Sequence, residues 1–129
     1  MTKYTIELSE DQMRLIADCL EDISRFASGQ HEMRHTIEGM LRGLPFDIAI
    51  EKRDKIEVLL TEVRQILFPT LPLHASLGYN GNKFIGNTYQ IYRSILHRLA
   101  TDNDWNNVYS SPALPSGDMG TIKIVKKSQ

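Results

Sequence analysis

The spacing of apolar residues divides the chain into four amphipathic stretches with short alternating segments near its two ends. Tyr4 to Leu8 alternates apolar and polar side chains, the pattern of a half-buried strand. Ser9-Glu10-Asp11-Gln12 then fits S-x-x-Q, a capping box that predicts a helix starting at Glu10. Along that helix Met13, Leu15, Ile16, Ala17, Cys19, Leu20, Ile23, Phe26 and Ala27 form one broad apolar face. Arg14, Asp18, Glu21, Asp22 and Arg25 form the polar one, and Gly29 ends the helix. A shorter helix carries Met33, Ile37, Met40 and Leu41 on one stripe and closes at Gly43 and Pro45. A third runs from about Phe46 to Phe68, with Ile56, Leu59, Leu60, Val63, Ile66 and Leu67 as its expected buried stripe and Pro69 as its stop.

Pro69 to Lys83 is rich in Pro, Gly and Asn and includes the turn signal Asn80-Gly81, and loops of this length in compact domains are often functional. The last helix is expected from about Ile85 to Ala100, with Ile85, Tyr89, Ile91, Tyr92, Ile95, Leu96 and Leu99 on its apolar arc. After the break at Asp102-Asn103-Asp104, Val108-Tyr109 and Thr121 to Val125 read as strands. Pairing these with the N-terminal strand gives the expected fold. It is a single α+β domain over residues 1–129, helix-rich with about four helices and a small antiparallel sheet from N- and C-terminal strands.

Composition narrows the class. Across 129 residues, 41% apolar and 24% charged side chains describe an ordinary globular protein, with enough chain to bury a core. Charges interrupt every apolar stretch, and Met1 to Glu7 lacks the apolar run of a secretion signal, so no membrane association is expected. A single cysteine, Cys19, excludes an internal disulfide and suits a reducing cytoplasm; its place on the apolar face suggests inert packing. The net charge of −1 argues against a nucleic-acid polymer as partner. The charge is unevenly spread: residues 1–82 hold nine Lys/Arg against thirteen Asp/Glu, whereas residues 83–129 hold six against three. A positive second half suits a small anionic ligand, and a solvated surface of uneven charge is the plainer alternative.

Two constellations could carry chemistry. His31-Glu32-Met33-Arg34-His35 fits H-E-x-x-H, which on a helix sets two histidines one turn apart for zinc and a glutamate beside the bound water. The metzincin extension needs glycine and histidine where this chain has Glu38 and Leu41, leaving Asp54 or Glu57 as the third-ligand candidates. A polar helix face with Met33 and Ile37 inward is the simpler account. The second constellation is Tyr89, Arg93 and His97, at i, i+4 and i+8 along the edge of the last helix's apolar arc. Arginine there could make forked bonds to phosphate, and a neighbouring ring such as Phe84 could stack on a base; equally, Arg93 could lie along core tyrosines. Arg25 either pairs with Glu21 or contacts phosphate across a subunit interface. Ser116-Gly117-Asp118 could offer backbone N–H groups to an anion, or be a plain turn. No nucleotide-binding glycine motif, G-x-S-x-G or triad spacing is present.

Three stretches in this order resemble the phage Thoeris anti-defence sponge proteins of the first-described type: Cys19-Leu20-Glu21-Asp22-Ile23-Ser24-Arg25-Phe26, then residues 88–100, Thr-Tyr-Gln-Ile-Tyr-Arg-Ser-Ile-Leu-His-Arg-Leu-Ala, then Asn107-Val108-Tyr109-Ser110-Ser111-Pro112-Ala113-Leu114. The resemblance implies a non-enzymatic protein of the infected host's cytoplasm. It would bind cyclic ADP-ribose isomers made by bacterial immune proteins without degrading them, and some members of the family hold cyclic trinucleotides. It implies a homo-oligomer, dimer or hexamer, with pockets near subunit interfaces and no cofactor. Carried over by position, the ligand-binding residues are Arg25, Tyr89, Arg93 and His97, with Phe84 and Asn87 added from their closeness to the second stretch. No metal is implied, and His31, Glu32 and His35 stand outside the resemblance. The alternatives are a small zinc-dependent hydrolase built on those three residues and a helical protein-interaction module.

Overall fold

The computed structural model describes residues 2–127. It contains four α-helices, α1 (Glu10–Ala27), α2 (Arg34–Leu41), α3 (Phe46–Leu67) and α4 (Lys83–Asp102), and one 3₁₀ turn, Val108–Ser110. No helix among the described residues is long and apolar enough to cross a membrane.

The capping box forms as its spacing predicts. Ser9 Oγ accepts from the Gln12 N–H at 3.1 Å, and Gln12 Oε1 accepts from the Ser9 N–H at 2.9 Å. Gly29 ends α1 at φ +103°, a left-handed value that glycine adopts without strain. α4 begins two residues earlier than the periodicity indicates, because Asn82 Oδ1 accepts from the Ile85 N–H at 2.9 Å and caps it.

α1 and α4 run antiparallel. Glu10, at the start of α1, accepts from Asn103 just past the end of α4, at 2.6 Å. Ser24, near the end of α1, donates to Ile85 O near the start of α4, at 3.3 Å. Between them lies the core of Ala17, Tyr92, Ile95, Leu96 and Leu99, with Met13, Leu20, Trp105, Tyr109 and Ile124 packed around it. Ala17 is fully buried, and its small side chain lets the two helices approach closely.

The other two helices are tied on by polar groups. Met33 offers α2 no side-chain cap, and Asp22 of α1 supplies one: its carboxylate accepts from the His35 N–H at 3.2 Å and the Thr36 N–H at 2.6 Å. α3 is held through Arg64, which is 2% exposed and donates to the carbonyls of Gly29, Leu71, Pro72 and Ala75.

The expected sheet does not form. No strand occurs among the described residues, and the fold is helical rather than α+β. Tyr4 to Leu8 and Thr121 to Val125 have no regular structure; Val108-Tyr109, also expected as a strand, belongs to the 3₁₀ turn. The two end segments do meet through Lys127 Nζ and Glu7 Oε1 at 2.7 Å, an exposed ion pair with no backbone ladder. Two short segments of this kind bury too little to offset the entropy of pairing: Tyr4 and Ile6 are both well exposed.

Two expectations of burial are also corrected. Cys19 is exposed, because the apolar arc of α1 is wider than the surface α4 covers. Of the stripe expected on α3, Ile56 and Leu60 are half-buried, whereas Leu59, Val63, Ile66 and Leu67 are exposed. The buried residue of that helix is Arg64. Periodicity marks which residues share a face; it does not supply a partner for the face.

Candidate functional site

Two carboxylates on the polar face of α1 are shielded from solvent. Glu21 and Asp22 are 4% and 2% exposed, covered by α2 and by the segment that follows α4. Glu21 is the hub: its Oε1 lies 2.7 Å from His35 Nε2, and its Oε2 accepts from the Tyr109 hydroxyl at 2.7 Å. A carboxylate oxygen accepts, so His35 Nε2 is the donor in this contact. Arg25 stands 3.8 Å from the same carboxylate, the i, i+4 pair its spacing allows.

This hub lies at the edge of a cleft of about 350 Å³, lined by Arg14, Asp18, Glu21, His35, Leu96, Trp105, Asn107 and Tyr109. Its size is at the lower end of small-molecule sites. Burial raises the Asp18 carboxyl above its ordinary value, opposed by the nearby His35 and Arg14. Burial, then the bond to Glu21, raises the Tyr109 phenol strongly, so it stays a neutral donor. Arg14 lies 4.9 Å from the centre of the Trp105 ring. The cleft thus combines carboxylate acceptors with an indole, a setting that suits a flat group bearing N–H donors.

The four carried-over residues and the two added to them fall into three places. Arg93 and His97 hold the 3₁₀ turn against α4: Arg93 Nη2 donates to Val108 O and Ser111 O, both at 3.3 Å, and His97 Nδ1 lies 3.0 Å from Tyr109 O. The Arg93 guanidinium also lies 5.1 Å from the centre of the Tyr109 ring. Arg25 and Tyr89 both lie beside Tyr92. Tyr89 meets Tyr92 edge-on at 5.7 Å and is stacked on Tyr79 of the long loop at 4.7 Å. Arg25 lies beside the Tyr92 hydroxyl, whose pKa is raised mainly by burial.

Phe84 and Asn87 lie at the start of α4. Phe84 is exposed. Asn87 is committed to the late loop: its Nδ2 donates to Asp118 Oδ1 at 2.9 Å, and its Oδ1 accepts from the N–H groups of Asp118 and Met119. Asn87 and Lys83 hold the Asp118 carboxyl below its ordinary value. Those two N–H groups face Asn87, which leaves Ser116-Gly117-Asp118 as a turn rather than an anion cradle.

The H-E-x-x-H pattern is not presented as a zincin site. Residues 30–33 precede α2, so His31 and His35 do not share a helix face, and His35 is bound to Glu21. His31 faces Glu57 instead, at 3.7 Å.

Local spacing gave no sign of the Glu21–His35–Tyr109 group. Glu21 reads as one more carboxylate on a polar helix face, and nothing nearby in sequence points to a tyrosine on the far side of α4. Comparison of the chain with family models, with curated proteins and with solved structures finds no match in any of the three.

Proposed function

We propose that this protein captures a small cyclic nucleotide of the cyclic ADP-ribose type and holds it unaltered, as the sponge proteins its three stretches resemble do. The observation that carries the reading is the state of Arg93. Its side chain is buried, no carboxylate of the described residues lies within 4.0 Å of it, and its Nη1 has no hydrogen-bond partner. A buried guanidinium without a counter-anion is costly, and a ligand phosphate would supply the missing charge.

Arg64 makes the contrast. It too is buried without an acid, but it spends its donors on four carbonyls. Arg93 has two carbonyl bonds, both long at 3.3 Å. Charge-assisted bonds to phosphate are shorter, about 2.7–2.9 Å, and stronger. Nη1 has no free surface, so phosphate binding requires the Val108–Ser111 turn to shift. The cleft that shares Tyr109 offers the base an indole and carboxylate acceptors.

The proposal includes a homo-oligomer in the cytoplasm of an infected bacterium. The open apolar row on α3, with Ile66 79% exposed, is a surface that a second copy would cover.

The test is capture and release. Purified protein is incubated with a cyclic ADP-ribose isomer, freed of unbound ligand and heat-denatured, and the supernatant is analysed by mass spectrometry. Intact ligand at near-stoichiometric yield is the expected result. No capture, or recovery of a cleaved product, overturns the proposal.

A further inference from the structure

A second cleft, of about 370 Å³, lies between α3 and the α1–α2 connection with the start of α2. His31 and Glu32 come from the connection and Glu57 from α3, and one ligand atom from each lies within 4.8 Å of the other two. Among the described residues no hydrogen bond joins the three: at 3.7 Å, His31 Nε2 and Glu57 Oε1 are too far apart for one. The cleft wall also holds Asp54 and Glu38, so carboxylates outnumber the guanidiniums of Arg34 and Arg53 two to one, and Arg34 is paired with Glu38.

From this geometry we infer that His31, Glu32 and Glu57 bind one divalent metal ion of the zinc class. One imidazole and two carboxylates form a mixed nitrogen–oxygen donor set of the kind zinc accepts; a magnesium or calcium site would use oxygen alone. Zinc bonds of about 2.0–2.2 Å place ligand atoms roughly 3.3 Å apart. No separation therefore has to close by more than roughly 1.5 Å, within reach of the two exposed glutamates by rotamer change. Three protein donors leave a fourth position for water.

The placement gives the ion a structural task. Glu57 and Arg64 are two helical turns apart on the same face of α3, and Arg64 is anchored to Gly29 O, two residues before His31. The connection thus runs along α3 and is tied to it at the Arg64 end. A metal at His31 and Glu57 is a second tie two turns away, holding a helix whose own apolar stripe is largely uncovered. This is a different donor set from the H-E-x-x-H pair, since it uses Glu57 in place of His35.

The experiment uses tag-free full-length protein, stripped with chelator and titrated with zinc chloride by calorimetry at neutral pH. Hydrogen exchange is followed with and without metal. One equivalent binds with a dissociation constant on the order of micromolar or tighter, and exchange slows in α3 around Glu57. Glu57→Gln, on an exposed side chain that the fold does not require, weakens binding roughly tenfold or more, as does His31→Ala. His35→Ala leaves zinc stoichiometry unchanged. Absence of uptake, binding by Glu57→Gln equal to that of the parent, or magnesium binding as tightly as zinc overturns the assignment.

Discussion

The Tyr109 hydroxyl donates to Glu21 Oε2 at 2.7 Å across 88 positions of sequence, while His35 holds the other oxygen of the same carboxylate at 2.7 Å. One buried acid therefore joins α1, the N-terminal turn of α2 and the segment that follows α4. Glu21 is 4% exposed, so each hydrogen bond it accepts compensates for water it has lost.

Tyr109→Phe removes one charge-assisted bond from that carboxylate and should destabilise the fold by about 1.5–3 kcal/mol in urea unfolding. The same variant tests a pH dependence. Tyr109 and Tyr92 both have raised pKa values in the folded state. Their contribution is fully present below the unfolded tyrosine value of about 10 and is lost as pH rises above it, because the unfolded chain releases these protons first. The parent should lose stability above about pH 10 more steeply than Tyr109→Phe. Parallel profiles would contradict this.

Gly86 is a point of close approach between α4 and the late loop. A Cβ there would stand 2.5 Å from Gly117 N and 2.9 Å from Gly117 Cα, both backbone atoms that cannot swing aside. Although alanine favours a helix by about 1 kcal/mol over glycine, Gly86→Ala should lower the melting temperature and raise protease sensitivity near residue 117. A gain in stability would show that the loop is not seated against α4.

Arg64→Met keeps the length of the side chain and deletes every donor. Four carbonyls, of Gly29, Leu71, Pro72 and Ala75, then lose a partner in a site where Arg64 itself is buried. The loss should be at least about 3 kcal/mol, with faster hydrogen exchange in residues 69–78. Unchanged exchange there would mean the loop is ordered by other contacts.

Arg93→Ala reads two properties together. The sequence places Arg93 at the edge of an apolar arc, but the side chain is buried and pins Val108–Ser111. Stability should fall by about 1–3 kcal/mol, and under the proposed function ligand capture should weaken tens-fold or more. Full affinity in a folded Arg93→Ala protein would remove Arg93 from the site.

What the sequence determined by itself is local. Ser9 and Gln12 specify the start of α1, Gly29 its end, Gly43 and Pro45 the break before α3, and Pro69 the halt after it. Each acts through backbone geometry or hydrogen bonds within a few residues, and those forces leave a signature at fixed spacing. The apolar arc of α4 was legible from its helical spacing, and its neighbours bury most of it.

Tertiary structure alone decided the rest. Whether Tyr4–Leu8 and Thr121–Val125 become strands depends on a backbone partner, and among the described residues no backbone ladder forms between them. Whether Glu21, Asp22 and Arg64 are surface charges or buried ties depends on which segment lies over them. Arg93 belongs with these: its spacing shows an arginine beside tyrosines, and only the packed turn shows a guanidinium closed off from water with a donor unused. Hydrogen bonds between residues dozens of positions apart have no periodicity, so such pairings become visible only once the chain has folded.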